Sequence, residues 1–287
     1  MAVISAVPDI VLDHVAVAVE RQADAWPRYA RDLPSSWIGG GSTAGFTSSQ
    51  VEYANGMKVE VLEPFAVDQN DFLRRFLDRN GQGPHHLTYK VKDLAGALEI
   101  VEAAGYRPVG VDLSSPWWKE AFLHPKDAPG IVVQLAQAAE GGDWGNEDDP
   151  SWFPAPRVGE AAALLHVAHA VADIDDARRL FEGLLAGKVA DEGDADGVRV
   201  VDLVWDGGGC VRLLAGAPLD EWLGGRAGRV HHLAFTTVDP GGVPSATGRS
   251  DTVHEIEPDD NLGVRLLLSA TPEPFRHHPL GYGSVHG

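Results

Sequence analysis

Cysteine is nearly absent from this 287-residue chain, where Cys210 stands alone. A single thiol rules out an internal disulfide and fits a reducing compartment, so the cytoplasm is the expected location. Basic residues are scarce too: 23 Lys and Arg face 42 Asp and Glu, a formal net charge of −19. That balance argues against nucleic acid as a partner, because phosphates call for a basic surface. Its plainer consequence is solubility. No apolar run approaches the roughly 20 residues that span a bilayer, so no membrane partner is expected. The start of the chain has no basic stretch leading into an apolar core, and no signal peptide is read there.

What is present fits a globular protein with room for two domains, each with its own core: 44% hydrophobic and 23% charged residues. The most telling stretch is Gly83-Pro84-His85-His86-Leu87-Thr88-Tyr89-Lys90-Val91, a turn entering a β-branched, apolar strand. Successive strand side chains face opposite ways, so His86 shares a face with Thr88 and Lys90 while His85 goes to a packing layer. The pair returns in Arg229-Val230-His231-His232-Leu233-Ala234-Phe235. A doubled His-His-Leu points to a repeated unit.

In chain order, Ile10–Val19 reads as an apolar strand carrying His14, and residues 21–33 as a helix with Trp26, Tyr29 and Leu33 on one face. A Gly- and Ser-rich stretch, Gly39–Ser49, precedes a hairpin of Val51–Tyr53 and Lys58–Leu62 across Asn55-Gly56. Residues 71–79 form a short amphipathic helix. After the His86 strand the pattern restarts, with Asp93 capping a helix over Leu94–Ala104 that Gly105 ends. Strands follow near 107–111, 120–123 and 131–135. This is a βαβββ module used twice within residues 8–138. Residues 139–160 read as a linker, acidic and rich in Gly, Pro and Trp. A second domain over 161–271 restarts at Leu164–Val171 with His166, continues through a helix from Asp173 and strands at 198–205 and 210–214, and ends in an eroded module opened by His232. The tail, 272–287, reads as irregular. The fold class is therefore α+β, two tandem domains of two βαβββ modules each.

A lone histidine in an apolar strand is usually a core residue. Several polar residues on the inner faces of apolar strands change that reading, because each unpaired polar group costs about 1–3 kcal/mol to bury. His124 and Lys126 sit in a loop and Trp117 beside Trp118; a plain turn and packing stand against a substrate-gripping edge, and the three are the candidates for substrate binding.

Four βαβββ modules with a histidine on each first strand resemble the vicinal oxygen chelate superfamily, which includes glyoxalases, methylmalonyl-CoA epimerases, fosfomycin- and bleomycin-resistance proteins and extradiol dioxygenases. The first domain is most similar to the epimerases, through Leu12-Asp13-His14-Val15-Ala16-Val17-Ala18-Val19, Lys58-Val59-Glu60-Val61-Leu62-Glu63-Pro64, His85-His86, Phe122-Leu123-His124-Pro125-Lys126-Asp127 and Gly130-Ile131-Val132-Val133-Gln134-Leu135.

The resemblance implies a cleft in which two modules supply two metal ligands each, here His14, Glu60, His86 and Gln134. The epimerases place Gln second and Glu fourth, so acid and amide are exchanged in this chain. Such a set suits a divalent ion among Zn, Mn, Co, Ni and Fe. The epimerases' other acid would fall near Thr43, among Gly and Ser, which leaves Glu60 as ligand and catalytic base together. In the second domain the matched positions are His166, Arg212, His232 and Leu267. Arg has no lone pair to give and Leu no donor atom, so that domain is expected to be structural or to hold an anionic group through Arg212. The expected activity is that of a metal-dependent epimerase, isomerase or lyase acting at a carbon next to a carbonyl, with an acyl-CoA or a dicarbonyl as the substrate type. An iron-dependent oxygenase and a non-catalytic small-molecule binding or resistance protein remain as alternatives, and a homodimer stays open.

Overall fold

Apolar β-branched runs, too hydrophobic to face water on either side, form the centres of two eight-stranded sheets in the computed structural model, which describes residues 5–139, 150–155, 159–277 and 280. The first holds β1 (Val11–Ala18), β2 (Ser36–Thr43), β3 (Gly45–Glu52), β4 (Lys58–Phe65), β5 (Gly83–Lys90), β6 (Pro108–Asp112), β7 (Trp118–Leu123) and β8 (Val132–Ala138), in the order β2-β3-β4-β1-β5-β8-β7-β6. The second repeats that order with β9 (Ala163–Val171), β10 (Lys188–Ala195), β11 (Val198–Val204), β12 (Cys210–Ala215), β13 (Gly228–Thr236), β14 (Thr247–Gly248), β15 (His254–Ile256) and β16 (Leu266–Ser269), as β10-β11-β12-β9-β13-β16-β15-β14. In each sheet the first strands of two modules lie side by side at the centre. The α+β class and the paired βαβββ modules stand as read from the sequence.

Helices begin and end where local chemistry directs. The Asp93 carboxylate accepts from the Gly96 amide at 3.2 Å and starts α3 (Leu94–Ala103). Asp173 does the same for α4 (Ile174–Arg178), accepting from the amides of Asp175 and Asp176. The helix read over 21–33 is a short α1 (Gln22–Trp26) running into a π-helical turn, Pro27–Asp32, and α4 likewise runs into a π turn at Arg179–Leu184. The Asn-Gly turn forms as expected: Gly56 adopts φ +81° and the Tyr53 amide donates to the Met57 carbonyl at 2.9 Å. α2 (Phe72–Asn80) lays Leu73 and Leu77 onto Ala16, Ala18 and Leu62, with Phe46, Phe72 and Phe76 around them. The fourth module is the reduced one, with strands of two, three and four residues after β13 and, between Pro240 and Asp251, no helix longer than the 3₁₀ turn Pro240–Gly242.

The Gly- and Ser-rich stretch belongs to β2 and β3, a paired ladder from Ser36↔Glu52 to Thr43↔Phe46. The acidic strand β10 and the helix α5 (Ala217–Leu223) are additions that the sequence pattern did not announce. Most of the linker, residues 140–149 and 156–158, lies outside the described residues, as does most of the tail. Trp152 and Phe153, from the part that is described, pack against Trp26 and Trp37 with ring centroids 5.1–6.5 Å apart.

Contacts gather the chain into two compact units that do not follow chain order. One comprises the chain up to His14, His86–Gly142 and His166–His231. Within it Tyr89 meets Trp205 ring to ring at 5.2 Å, and buried His169 places Nε2 2.6 Å from the Pro129 carbonyl. Gly130, at φ +77°, crosses the Gly228 backbone so closely that a Cβ there would lie 2.0 Å from the Gly228 oxygen. The other unit comprises Val15–His85, Asp143–Leu165 and His232–Gly287. There Tyr53 meets Phe235 at 5.0 Å, Asn261 donates to the Tyr29 hydroxyl at 3.1 Å, and a Cβ on Gly263 would lie 1.9 Å from the Gln82 carbonyl.

Candidate functional site

Strand register fixes which side chains share a face, and it repeats across the modules. On β5 and β8, His86 pairs with Val132 and Thr88 with Gln134. On β9 and β12, Ala168 pairs with Arg212; on β13 and β16, Ala234 pairs with Leu267. In each case the second position stands one pleat repeat beyond the histidine of the first strand. The next strand out adds a cross-strand partner: Gln50↔Glu60, Phe122↔Gln134, Asp202↔Arg212 and Glu255↔Leu267. Directly paired residues lie on one face, so these four couples are equivalent places filled with different chemistry.

In the first sheet the structure brings three of the four expected residues together. His14, Glu60 and His86 are buried, at 1%, 8% and 5% exposure, and their ligand-type atoms all lie within 4.8 Å of one another. They are the one group of His, Cys, Asp and Glu so placed among the described residues. The two imidazoles stand edge to face with centroids 5.8 Å apart. Gln50 donates to Glu60 Oε1 at 3.2 Å. Two neutral nitrogen donors and a carboxylate are the donor types that hold a divalent transition ion, so the residues fit the group that the resemblance implies.

Asp13 was not singled out from the sequence, yet it sets the state of His14. Its Oδ2 lies 2.8 Å from His14 Nδ1. An ionised carboxylate only accepts, so Nδ1 carries the proton, and in the neutral imidazole Nε2 is then the nitrogen with the lone pair that a ligand needs. Lys90 Nζ balances the Asp13 charge at 3.0 Å and lies over the Trp118 ring at 5.7 Å. A buried Asp inside an apolar strand is costly without such partners, and that cost was the signal available in Leu12-Asp13-His14.

Gln134 is held at both ends of its amide. The Thr88 hydroxyl donates to Oε1 at 2.5 Å, and Nε2 donates to Glu120 Oε2 at 2.8 Å. Trp118 Nε1 donates to the same Glu120 oxygen at 2.9 Å. His85 packs against Phe76 and Phe72 of α2 at 4.6 and 6.1 Å, and burial pushes its imidazole down to about 4, with Glu60 opposing the shift. Of the substrate-binding candidates, His124 accepts the Lys126 amide at Nδ1, 3.1 Å, within the turn after β7. Trp117 is 71% exposed beside Trp118.

The second sheet fills the same places otherwise. Arg212 forks onto Asp202 through Nε and Nη2, 2.7 Å each, with Arg212 4% exposed. Buried His166 is held well below the ordinary range, first by burial and then by the Arg212 guanidinium. Glu255, fully buried, faces Arg265 and Arg249. The Arg212 charge is thus already met by an acid of its own sheet, which removes the motive for an anion there.

Comparison with known proteins agrees with this geometry. The family model for the glyoxalase/bleomycin resistance protein/dioxygenase superfamily matches residues 13–122. An ethylmalonyl-CoA/methylmalonyl-CoA epimerase of Cereibacter sphaeroides is 31% identical over 133 residues, which cover 44% of this chain and 96% of that protein. An uncharacterized protein of Bacillus subtilis, YqjC, is 27% identical over 48% of this chain and 98% of its own length. A solved triple mutant of 4-hydroxymandelate synthase from Streptomyces coelicolor spans both sheets, covering 91% of this chain and 93% of its own at TM-score 0.59; at 13% identity it shows the shared fold alone. The chain belongs to the glyoxalase/bleomycin resistance protein/dioxygenase superfamily.

Proposed function

We propose that the protein is a metal-dependent enzyme that moves a proton at a carbon next to a carbonyl, of the epimerase and isomerase type, with residues 8–138 as the active repeat and 161–271 as a structural one. The observation that carries it is the buried cluster of His14, Glu60 and His86. The epimerase relative, 31% identical over nearly its whole length, supports the reaction class.

In this reading His14, Glu60 and His86 hold a divalent ion, with the Gln134 amide oxygen as the fourth donor. The bound ion would act as a Lewis acid on the substrate's oxygens and so acidify the neighbouring C–H. Asp13 keeps His14 in the required tautomer. The Glu60 carboxylate takes the proton from carbon and passes it to the neighbouring position, or to solvent that reprotonates the opposite face, so nothing is oxidised or reduced. Gln50 orients that carboxylate through its bond to Oε1. Trp117, His124 and Lys126 form the edge that meets the remainder of the substrate, an acyl-CoA or a dicarbonyl compound.

The test is metal analysis of the purified protein, followed by solvent-deuterium incorporation into methylmalonyl-CoA and simple dicarbonyls. Glu60→Gln should abolish incorporation while the fold survives, since the side-chain volumes nearly match. Full exchange in that variant would remove Glu60 as the base. Two histidines and one carboxylate are also the set of non-haem Fe(II) oxygenases, so oxygen uptake with Fe(II) is the competing outcome to measure beside it.

A further inference from the structure

On the inner face of the first sheet a chain of hydrogen bonds runs across three strands, and its direction is dictated by chemistry. Trp118 on β7 can only donate and an ionised Glu120 can only accept. Their 2.9 Å bond therefore leaves Glu120 an acceptor toward its other neighbour too. The Gln134 group 2.8 Å from Glu120 Oε2 must be the Nε2 amide, which turns Oε1 toward β5, where the Thr88 hydroxyl donates to it at 2.5 Å. Thr88 lies two residues along the same strand face from His86. Phe122, two residues from Glu120 on β7 and paired with Gln134, stands 6.5 Å from the His86 ring, so the row and the histidine share one face.

We propose that Glu120 is a positioning residue of this site: by accepting from both Trp118 and Gln134 it locks the Gln134 amide with its oxygen, not its nitrogen, toward the His86 side. An amide free to flip would present N–H there about as readily, and N–H cannot serve as a ligand or accept a hydrogen bond. The same order explains why the acid at this end sits on β7. A carboxylate at position 134 would meet the Glu120 carboxylate head on, so an acid on β8 requires a donor on β7.

The proposal rests on the metal-site reading above only for the consequence of the lock, and one set of variants separates the two. Zn2+ affinity, measured by chelator competition, and the thermal midpoint in chelator are read for wild type, Glu120→Ala, Gln134→Ala, the double variant and Glu120→Gln. Glu120→Ala should weaken Zn2+ by about tenfold, the usual size for loss of a residue that orients a ligand. The loss should vanish in the Gln134→Ala background, because Glu120 acts only through that amide. Glu120→Gln should stay close to wild type, its carbonyl oxygen accepting both bonds. An equal loss with and without Gln134 would overturn the proposal, as would a Glu120→Gln variant as weak as Glu120→Ala. If wild type binds no Zn2+, the metal reading fails, and the lock is judged by the midpoints alone. Coupled, non-additive drops in Glu120→Ala and Gln134→Ala would then support it, and additive drops would overturn it.

Discussion

The two sheets carry one architecture and two chemistries. Their strand orders are the same, their registers coincide, and each opens its modules with a buried histidine. In the first sheet the place opposite Gln50 is Glu60, and the acid closes on His14 and His86. In the second the same place is Arg212, and the place opposite it is Asp202. A carboxylate with an amide neighbour became a guanidinium with a carboxylate neighbour. Either couple satisfies a buried polar position, but only the first leaves lone pairs for a cation. The comparison teaches that a buried charge at this place on β4 or β12 comes with a partner on the next strand, while the chemistry resides in which partner carries the acid.

The largest effect expected from breaking that contrast is in metal content. His14→Ala or His86→Ala should bring bound metal close to zero, whereas His166→Ala and His232→Ala should leave it unchanged; elemental analysis of the four purified variants decides. Equal loss from both pairs would erase the distinction between the sheets.

Next in size is the ion pair of the second sheet. Arg212→Ala takes the guanidinium away from the partly buried Asp202 charge, and denaturant titration should show a loss of about 3 kcal/mol. The double change Arg212→Met with Asp202→Asn should recover most of it, as expected when a buried pair is replaced as a unit. A comparable change at Glu60 should cost less stability and more metal.

The last effect, graded with pH and not all-or-none, is in mild acid. Burial holds His169 at about 4, despite hydrogen bonds to the Pro129 and Arg229 backbone that favour the proton. The unfolded chain would protonate it near 6.5. Between those values the unfolded state binds more protons, so stability is complete above about pH 6.5 and falls as the pH drops toward about 4, by at most about 1.4 kcal/mol per pH unit for this group. His169→Gln should flatten that part of the stability profile, read as thermal midpoint against pH.

Much of this was legible in the sequence because strands buried on both faces must be apolar and β-branched, and because a histidine inside such a strand stands out. Hence β1, β5, β9 and β13 and the buried histidines on them could be read by pattern. Gly39–Ser49 could not be read as strand, since Gly and Ser have no propensity for one; its extended form comes from the ladder with β3 and β4. The acidic β10 stayed hidden for the same reason. Within the site, the roles of Asp13, Thr88 and Glu120 escaped notice because they depend on which strand lies next to which. Sequence spacing does not reveal that β7 presents Glu120 to β8, and only the sheet order does.

The cross-chain pairings have a consequence for how the polypeptide is made. Tyr29 receives its hydrogen bond from Asn261, 232 residues later, and Tyr53 waits for Phe235. The first module therefore cannot finish its packing while the ribosome is still producing the third. Ordering such distant segments is slow, because loop closure must precede any gain from the contact. A nascent chain of this kind depends on Phe235 and Asn261 to cover Tyr53 and Tyr29, across a loop whose closure cost grows only slowly with length. A chain that stopped before Phe235 would lack the partners that both tyrosines meet in the finished fold.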